Sequence, residues 1–131
     1  MSPFEPDQFN DHPVAVKANG KFTSVMVDVD AVVKSWKKSL FSYEWLTPEG
    51  AIKPIDALND AEMQKRALVE ERITKGDKLE KPILGIGMLD NVEIGSGREI
   101  LLTLAAHGTK KMPVHVPASQ VAEFKKFRVD L

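Results

Sequence analysis

Residues 99–107, Glu-Ile-Leu-Leu-Thr-Leu-Ala-Ala-His, are apolar almost all the way round a helix, and the segments on both sides read as strands. A helix with so little polar face must be buried over most of its circumference, so it needs a sheet and other helices to cover it. Pro82-Ile83-Leu84-Gly85-Ile86 and Asn91-Val92-Glu93-Ile94 precede it as apolar strands, and Met112-Pro113-Val114-His115-Val116 follows as a third. Gly108 supplies the helix stop. The pattern predicts an α+β fold, one mixed sheet with helices packed on it, and 131 residues suffice for one such core.

Residues 1–20 hold Pro3, Pro6 and Pro13 and few periodic apolar positions, which predicts an irregular arm. Within it Val14-Ala15-Val16 can form a short strand, turned by Asn19-Gly20 onto a strand over residues 22–27. Residues 21–131 are expected to make the single domain. Asp28 or Asp30 can cap a helix over residues 31–39, with Val32, Val33 and Trp36 on one face. In residues 40–46 aromatics alternate, so a strand would place Phe41, Tyr43 and Trp45 on one side and Ser42 and Glu44 on the other. That aromatic face is either core or a platform for stacking a base or seating a partner peptide. Asn59 and Glu62 have capping-box spacing ahead of a helix over residues 61–74, whose mixed charges suit a solvated face with intrahelical pairs. Val121, Phe124 and Phe127, each three residues apart, mark a last helix over residues 120–127.

Composition removes several classes of function. With 43% apolar and 28% charged residues the chain has the balance of a soluble globular protein. Its 18 basic and 19 acidic residues leave a net charge of −1, so nucleic acid would have to be held by a local patch. No cysteine is present, which excludes disulfides, thiolate metal sites and cysteine nucleophiles. His12, His107 and His115 have no metal-ligand spacing, and Gly95-Ser96-Gly97 lacks the outer glycines of a nucleophile elbow. Neither a metal nor a cofactor is therefore expected. The opening MSPFEPDQFN is acidic and broken by proline, unlike a signal peptide, and no apolar run has the length of a membrane span. The expectation is a cytoplasmic protein without a membrane partner.

Candidate chemistry concentrates at Gly95-Ser96-Gly97-Arg98, where a strand enters the buried helix. Two glycines allow positive φ, so successive N–H groups can curl toward one point, and a helix start adds free donors and partial positive charge. Arg98 can fork onto an anion there, and Lys110 and Lys111, past the far end of the helix, can add a basic edge. Such parts suit a phosphate, and equally a glycine turn that is only structural. Glu99 complements the helix dipole as a first-turn acid; beside a phosphate it is also the one candidate metal ligand or general base.

These residues resemble the ParB/sulfiredoxin superfamily. The family pattern runs from a Lys-Pro-Ile-Leu strand, here Lys81-Pro82-Ile83-Leu84, into an Asp-Gly turn with two basic residues, then Arg-Leu, a closing glycine and an Ile/Val-Pro-Val strand. Gly97 stands for the family glycine, Arg98 for the first basic residue, Leu101 for the leucine, and Gly108 for the closing glycine eleven positions on. Met112-Pro113-Val114-His115-Val116 fits the last strand. The resemblance covers residues 81–116 well and residues 25–74 in outline. It implies a ParB-like core and a phosphate site. Three motif positions depart: Ser96 replaces the aspartate, Glu99 the second basic residue and Ile100 the arginine. Without the sulfiredoxin cysteine and the ParB arginine, the resemblance implies a scaffold with a partly dismantled anion site.

Three functions follow as expectations. The first is a non-enzymatic ParB-like protein that binds nucleic-acid backbone or a nucleotide phosphate, in a plasmid- or phage-related role. The second is a protein-interaction or inhibitor module that uses residues 41–45 on the same scaffold. The third is a metal-dependent nuclease or nucleotide hydrolase in which Glu99, with Asp90 or Glu93, holds a divalent ion.

Overall fold

The structure, a computed structural model, describes residues 8–129. In chain order it holds β1 (Phe9–Asn10), α1 (Pro13–Lys17), β2 (Phe22–Asp28) and α2 (Val29–Trp36), then α3 (Asp60–Lys75) and β3 (Leu79–Glu80). After these come β4 (Ile83–Ile86), β5 (Val92–Ser96), α4 (Arg98–Ala106) and β6 (Lys111–Pro117). Single turns of 3-10 helix lie at Ser42–Glu44 and Ile55–Ala57, and a longer one at Ala118–Phe127 follows β6. Among the described residues no helix is long and apolar enough to cross a membrane.

The main sheet has the order β2-β6-β4-β5 and is mixed: β6 runs antiparallel to β2 and parallel to β4, and β5 returns antiparallel to β4. The α+β class expected from the strand and helix patterns is the one found. Register explains the burial. Val25 pairs with Val114 and Val27 with Met112, so period-two alternation puts all four on one face. That face shares one core with Val29, Val32 and Trp36 of α2 and with Leu101 and Leu104 of α4. β4 and β6 pair only at Ile83 and His115. Where they part, the Gln120 side chain accepts from the Ile86 N–H at 3.0 Å in place of a neighbouring strand.

Helix signals in the sequence are realised with small shifts. Asp28 is the cap of α2, its Oδ1 accepting from the Ala31 N–H at 3.2 Å. Asn59 caps α3 by accepting from the Glu62 N–H at 2.9 Å, and Gly76 closes it in the left-handed region. The expected intrahelical pairs on α3 form, Arg66 with Glu70 at 3.3 Å and Lys75 with Glu71 at 2.8 Å. The last helix is 3-10 over all ten of its residues. Three residues per turn stack every third side chain, and Phe124 and Phe127 accordingly fall together on the buried side.

Two expectations are corrected. Val14–Val16 is not a strand: Pro13 takes the first helical position of α1, and His12 caps it by accepting from the Val14 N–H at 3.1 Å. Asn19 and Gly20, at φ 40° and 85°, turn the chain out of that helix rather than closing a hairpin. The other described residues of the arm are also ordered, since β1 pairs in parallel with β3; residues 1–7 lie outside the described range. Residues 41–45 are not a strand either. They form a 3-10 turn, so Trp45 is fully buried while Phe41 and Tyr43 are exposed and Ser42 points inward.

Candidate functional site

The glycine turn is held by packing before it is anything else. β5 continues through Gly95 to Ser96, and Gly95 is the extra residue where the β4–β5 register shifts between Ile83 and Leu84. Only Gly97 has positive φ, 79°, so the expected pair of left-handed glycines is replaced by one. A Cβ on Gly97 would sit 3.0 Å from Cα and 3.1 Å from Cβ of Pro82. The Gly97 carbonyl accepts from Ile100 and Leu101 at 3.0 and 3.1 Å, which starts α4 and leaves the earlier amides facing outward. They open onto a cleft of about 350 Å³ walled by residues 94–99 and by Glu62 and Lys65 of α3.

Arg98 is committed elsewhere. Its Nη1 donates to Glu44 Oε1 at 2.6 Å, and its guanidinium lies 5.5 Å from the ring centroids of both Trp36 and Phe41. A guanidinium near two rings with a carboxylate on one nitrogen is a favourable arrangement, although the Arg98 Nε is buried without a hydrogen-bond partner. It braces the 3-10 turn that carries Phe41 and Tyr43.

The opposite wall of the cleft is acidic. Glu62 is buried and accepts from the Trp45 indole N–H at 2.8 Å, with Lys65 Nζ 3.3 Å from its other oxygen. Burial pushes its carboxyl up, but the Trp45 and Lys65 hydrogen bonds and the charges of Lys65 and Arg98 outweigh this and hold it below the usual carboxylate range. Lys65 is thus paired with Glu62 and Arg98 with Glu44, while Glu99 adds a further negative charge at the lip. The cleft carries no surplus of positive charge for an anion. Ile100 is buried in the core.

The basic edge expected around the turn is split. Lys110 and Lys111 follow the C-terminal end of α4, whereas Gly97 precedes its N-terminal end, and nine helical residues separate the two by about 14 Å. Lys110 lies 3.9 Å from Asp30 instead. A different basic group adjoins the aromatics: Lys34, Lys37 and Lys38 are exposed at the end of α2, next to exposed Leu40, Phe41 and Tyr43. The Ser39 hydroxyl donates to Glu93 at 2.6 Å, and Glu93 packs beneath Gly87. Met88 and Leu89, next to Gly87 in the chain, are exposed.

Ser96 has an unforeseen partner in His12, whose Nε2 lies 2.9 Å from its hydroxyl. The pair is not a nucleophile and its base. His12 Nδ1 is the acceptor of the α1 cap, so in the neutral ring Nε2 carries the proton and donates to Ser96. Among the described residues no group of three His, Asp or Glu side chains is arranged to hold a metal ion, and Asp90, Glu93 and Glu99 do not converge. The contacts that organise the site span 54 residues for Arg98–Glu44 and 84 for Ser96–His12, so no local spacing announces them. No family model, curated protein or solved structure matches the chain.

Proposed function

We propose that this chain is a non-catalytic binding module on a ParB/sulfiredoxin-like scaffold, and that it engages a protein partner through the aromatic turn rather than a phosphate through the glycine turn. The carrying observation is the position of Arg98. The one basic residue kept from the phosphate motif is spent on Glu44, Trp36 and Phe41, where it supports an exposed apolar corner. Leu40, Phe41 and Tyr43 are 83%, 55% and 68% exposed in consecutive turns, a cluster that needs a reason on a soluble surface. The lysines at positions 34, 37 and 38 rim it, so the partner chemistry that fits is an apolar protein surface with acidic residues at its edge.

The same lysines support a second reading. Cations beside two exposed rings also suit a single-stranded nucleic acid, with bases on Phe41 and Tyr43 and phosphates on the lysines. A photo-crosslinking amino acid at position 43 separates the two. On the protein reading it captures one protein, whose purified form binds the chain and loses about tenfold or more in affinity to Leu40→Ser or Tyr43→Ser. The affinity for that protein should be indifferent to Lys110→Ala at the far end. Capture of nucleic acid, with affinity for an oligothymidine that falls steeply with salt, selects the second reading. Binding of inorganic pyrophosphate at Gly97 that is insensitive to both serine variants contradicts both.

A further inference from the structure

We propose that residues 8–20 form a latch over the end of the sheet beside the glycine turn, closed by the bond from the His12 amide to buried His115 and released when His115 is protonated. This goes beyond the binding reading and is independent of it. The geometry is one of two imidazoles, each used as an acceptor. His115, on β6 and only 5% exposed, accepts at Nε2 from the main-chain N–H of His12 at 3.0 Å. His12 accepts at Nδ1 from the Val14 N–H and donates from Nε2 to Ser96. The segment is thus tied to β6, to β5 and to its own helix by three bonds that pass through histidine.

Each bond dictates a tautomer. His115 must be Nδ1–H, and His12 must be Nε2–H. Protonation of His115 fills its accepting Nε2 with a hydrogen, which sets donor against donor at the His12 amide.

The charged groups around the two rings are Asp11 in the segment itself, Glu80 on β3 with its partner Arg72 on α3, and Lys81 just after β3. Asp11 Oδ1 is 3.8 Å from His115 Nε2, beyond hydrogen-bond reach, and is held by Lys81 at 2.9 Å. Lys81 also donates to Ser24 at 3.0 Å. Glu80, which faces His12, is paired with Arg72 at 2.8 Å. Asp11 thus favours the charged form of His115 from a distance without bonding it, while Lys81 opposes that form. Burial, and then the charge of Lys81, hold His115 below the usual histidine range against the pull of Asp11. A depressed histidine stabilises the state that keeps it neutral. Its contribution is full above about pH 6.5 and is lost progressively as pH falls toward the depressed value. Release uncovers buried Phe9 and Ala15 and frees the Ser96 hydroxyl at the cleft.

Amide exchange on the whole chain at about pH 7.5 and about pH 5, corrected for the intrinsic pH dependence, tests the latch. The expected result is a loss of protection of about tenfold or more at His12, Val14 and Lys81, whose N–H groups hold the segment, with α4 unchanged. His115→Gln, whose carbonyl accepts from the His12 amide without titrating, should keep His12 protected at the lower pH. Nitrogen-correlated NMR of the histidine rings in the unmodified chain provides a check that needs no variant. It should find His115 as Nδ1–H and His12 as Nε2–H at the higher pH. Equal protection at both pH values, a loss that extends into α4, a His115→Gln protein that opens as the native one does, or the reverse tautomers would each overturn the latch.

Discussion

Arg98 and Glu44 meet at 2.6 Å, each side chain about one-quarter exposed, with the guanidinium 5.5 Å from the ring centroids of Trp36 and Phe41. Removing the guanidinium strands the carboxylate and loosens the turn that presents Phe41 and Tyr43. Arg98→Ala is expected to cost about 2 kcal/mol in urea denaturation and to speed amide exchange over residues 41–46. Arg98→Lys should recover less than half of that loss, since an ammonium lacks the planar face of a guanidinium.

Gly97 answers to two constraints at once, positive φ and the nearness of Pro82. Gly97→Ala should cost roughly 2 kcal/mol or more in thermal or urea unfolding. Gly108→Ala, at φ 86° with open space around its Cβ position, carries only the φ penalty and should cost less. Equal losses at the two sites would remove the packing part of the argument.

Glu62 and Trp45 form a buried hydrogen bond between a carboxylate and an indole N–H. A carboxyl held low when folded contributes stability that is complete above its unfolded pKa and disappears as pH falls through its folded value. Stability of the native chain should therefore drop below about pH 4.5. Trp45→Phe is expected to cost about 1–3 kcal/mol near neutrality and to flatten that acid limb. An unchanged acid limb in the variant would mean that Glu62 draws its stabilisation from Lys65 and Arg98 without Trp45.

Phe124 sits at the centre of the terminal 3-10 helix with its ring fully buried, 5.9 Å from that of Phe127. Phe124→Ala should cost about 3–5 kcal/mol. Leu89→Ala, on an exposed turn, should stay within about 0.5 kcal/mol. Calorimetry of the two variants gives the comparison directly.

What was legible in the sequence is what is encoded locally. The apolar circumference of residues 100–104 and the strands around them gave α4, β4, β5 and β6, and the Asn59 and Gly76 signals gave both ends of α3. The spacing of three in Val121, Phe124 and Phe127 was visible too, though it describes a 3-10 helix better than an α-helix. The aromatic segment was not legible. Phe41, Tyr43 and Trp45 alternate as a strand would, but Trp45 is drawn inward to Glu62 and Phe41 packs against Arg98, partners 17 and 57 residues away in the chain. The arm failed for the opposite reason: a local signal was present, His12 capping a helix that Pro13 opens, and the Asn-Gly pair obscured it.

Arg98 either belongs to the protein's own packing or is free for a ligand. A double-mutant cycle between Arg98→Ala and Glu44→Gln, read by urea denaturation without any ligand, decides it most directly. The structure predicts a coupling energy of about 1–2 kcal/mol. A coupling near zero, with Arg98→Ala as stable as the native chain, would mean that the guanidinium is free for an anion and would contradict the account.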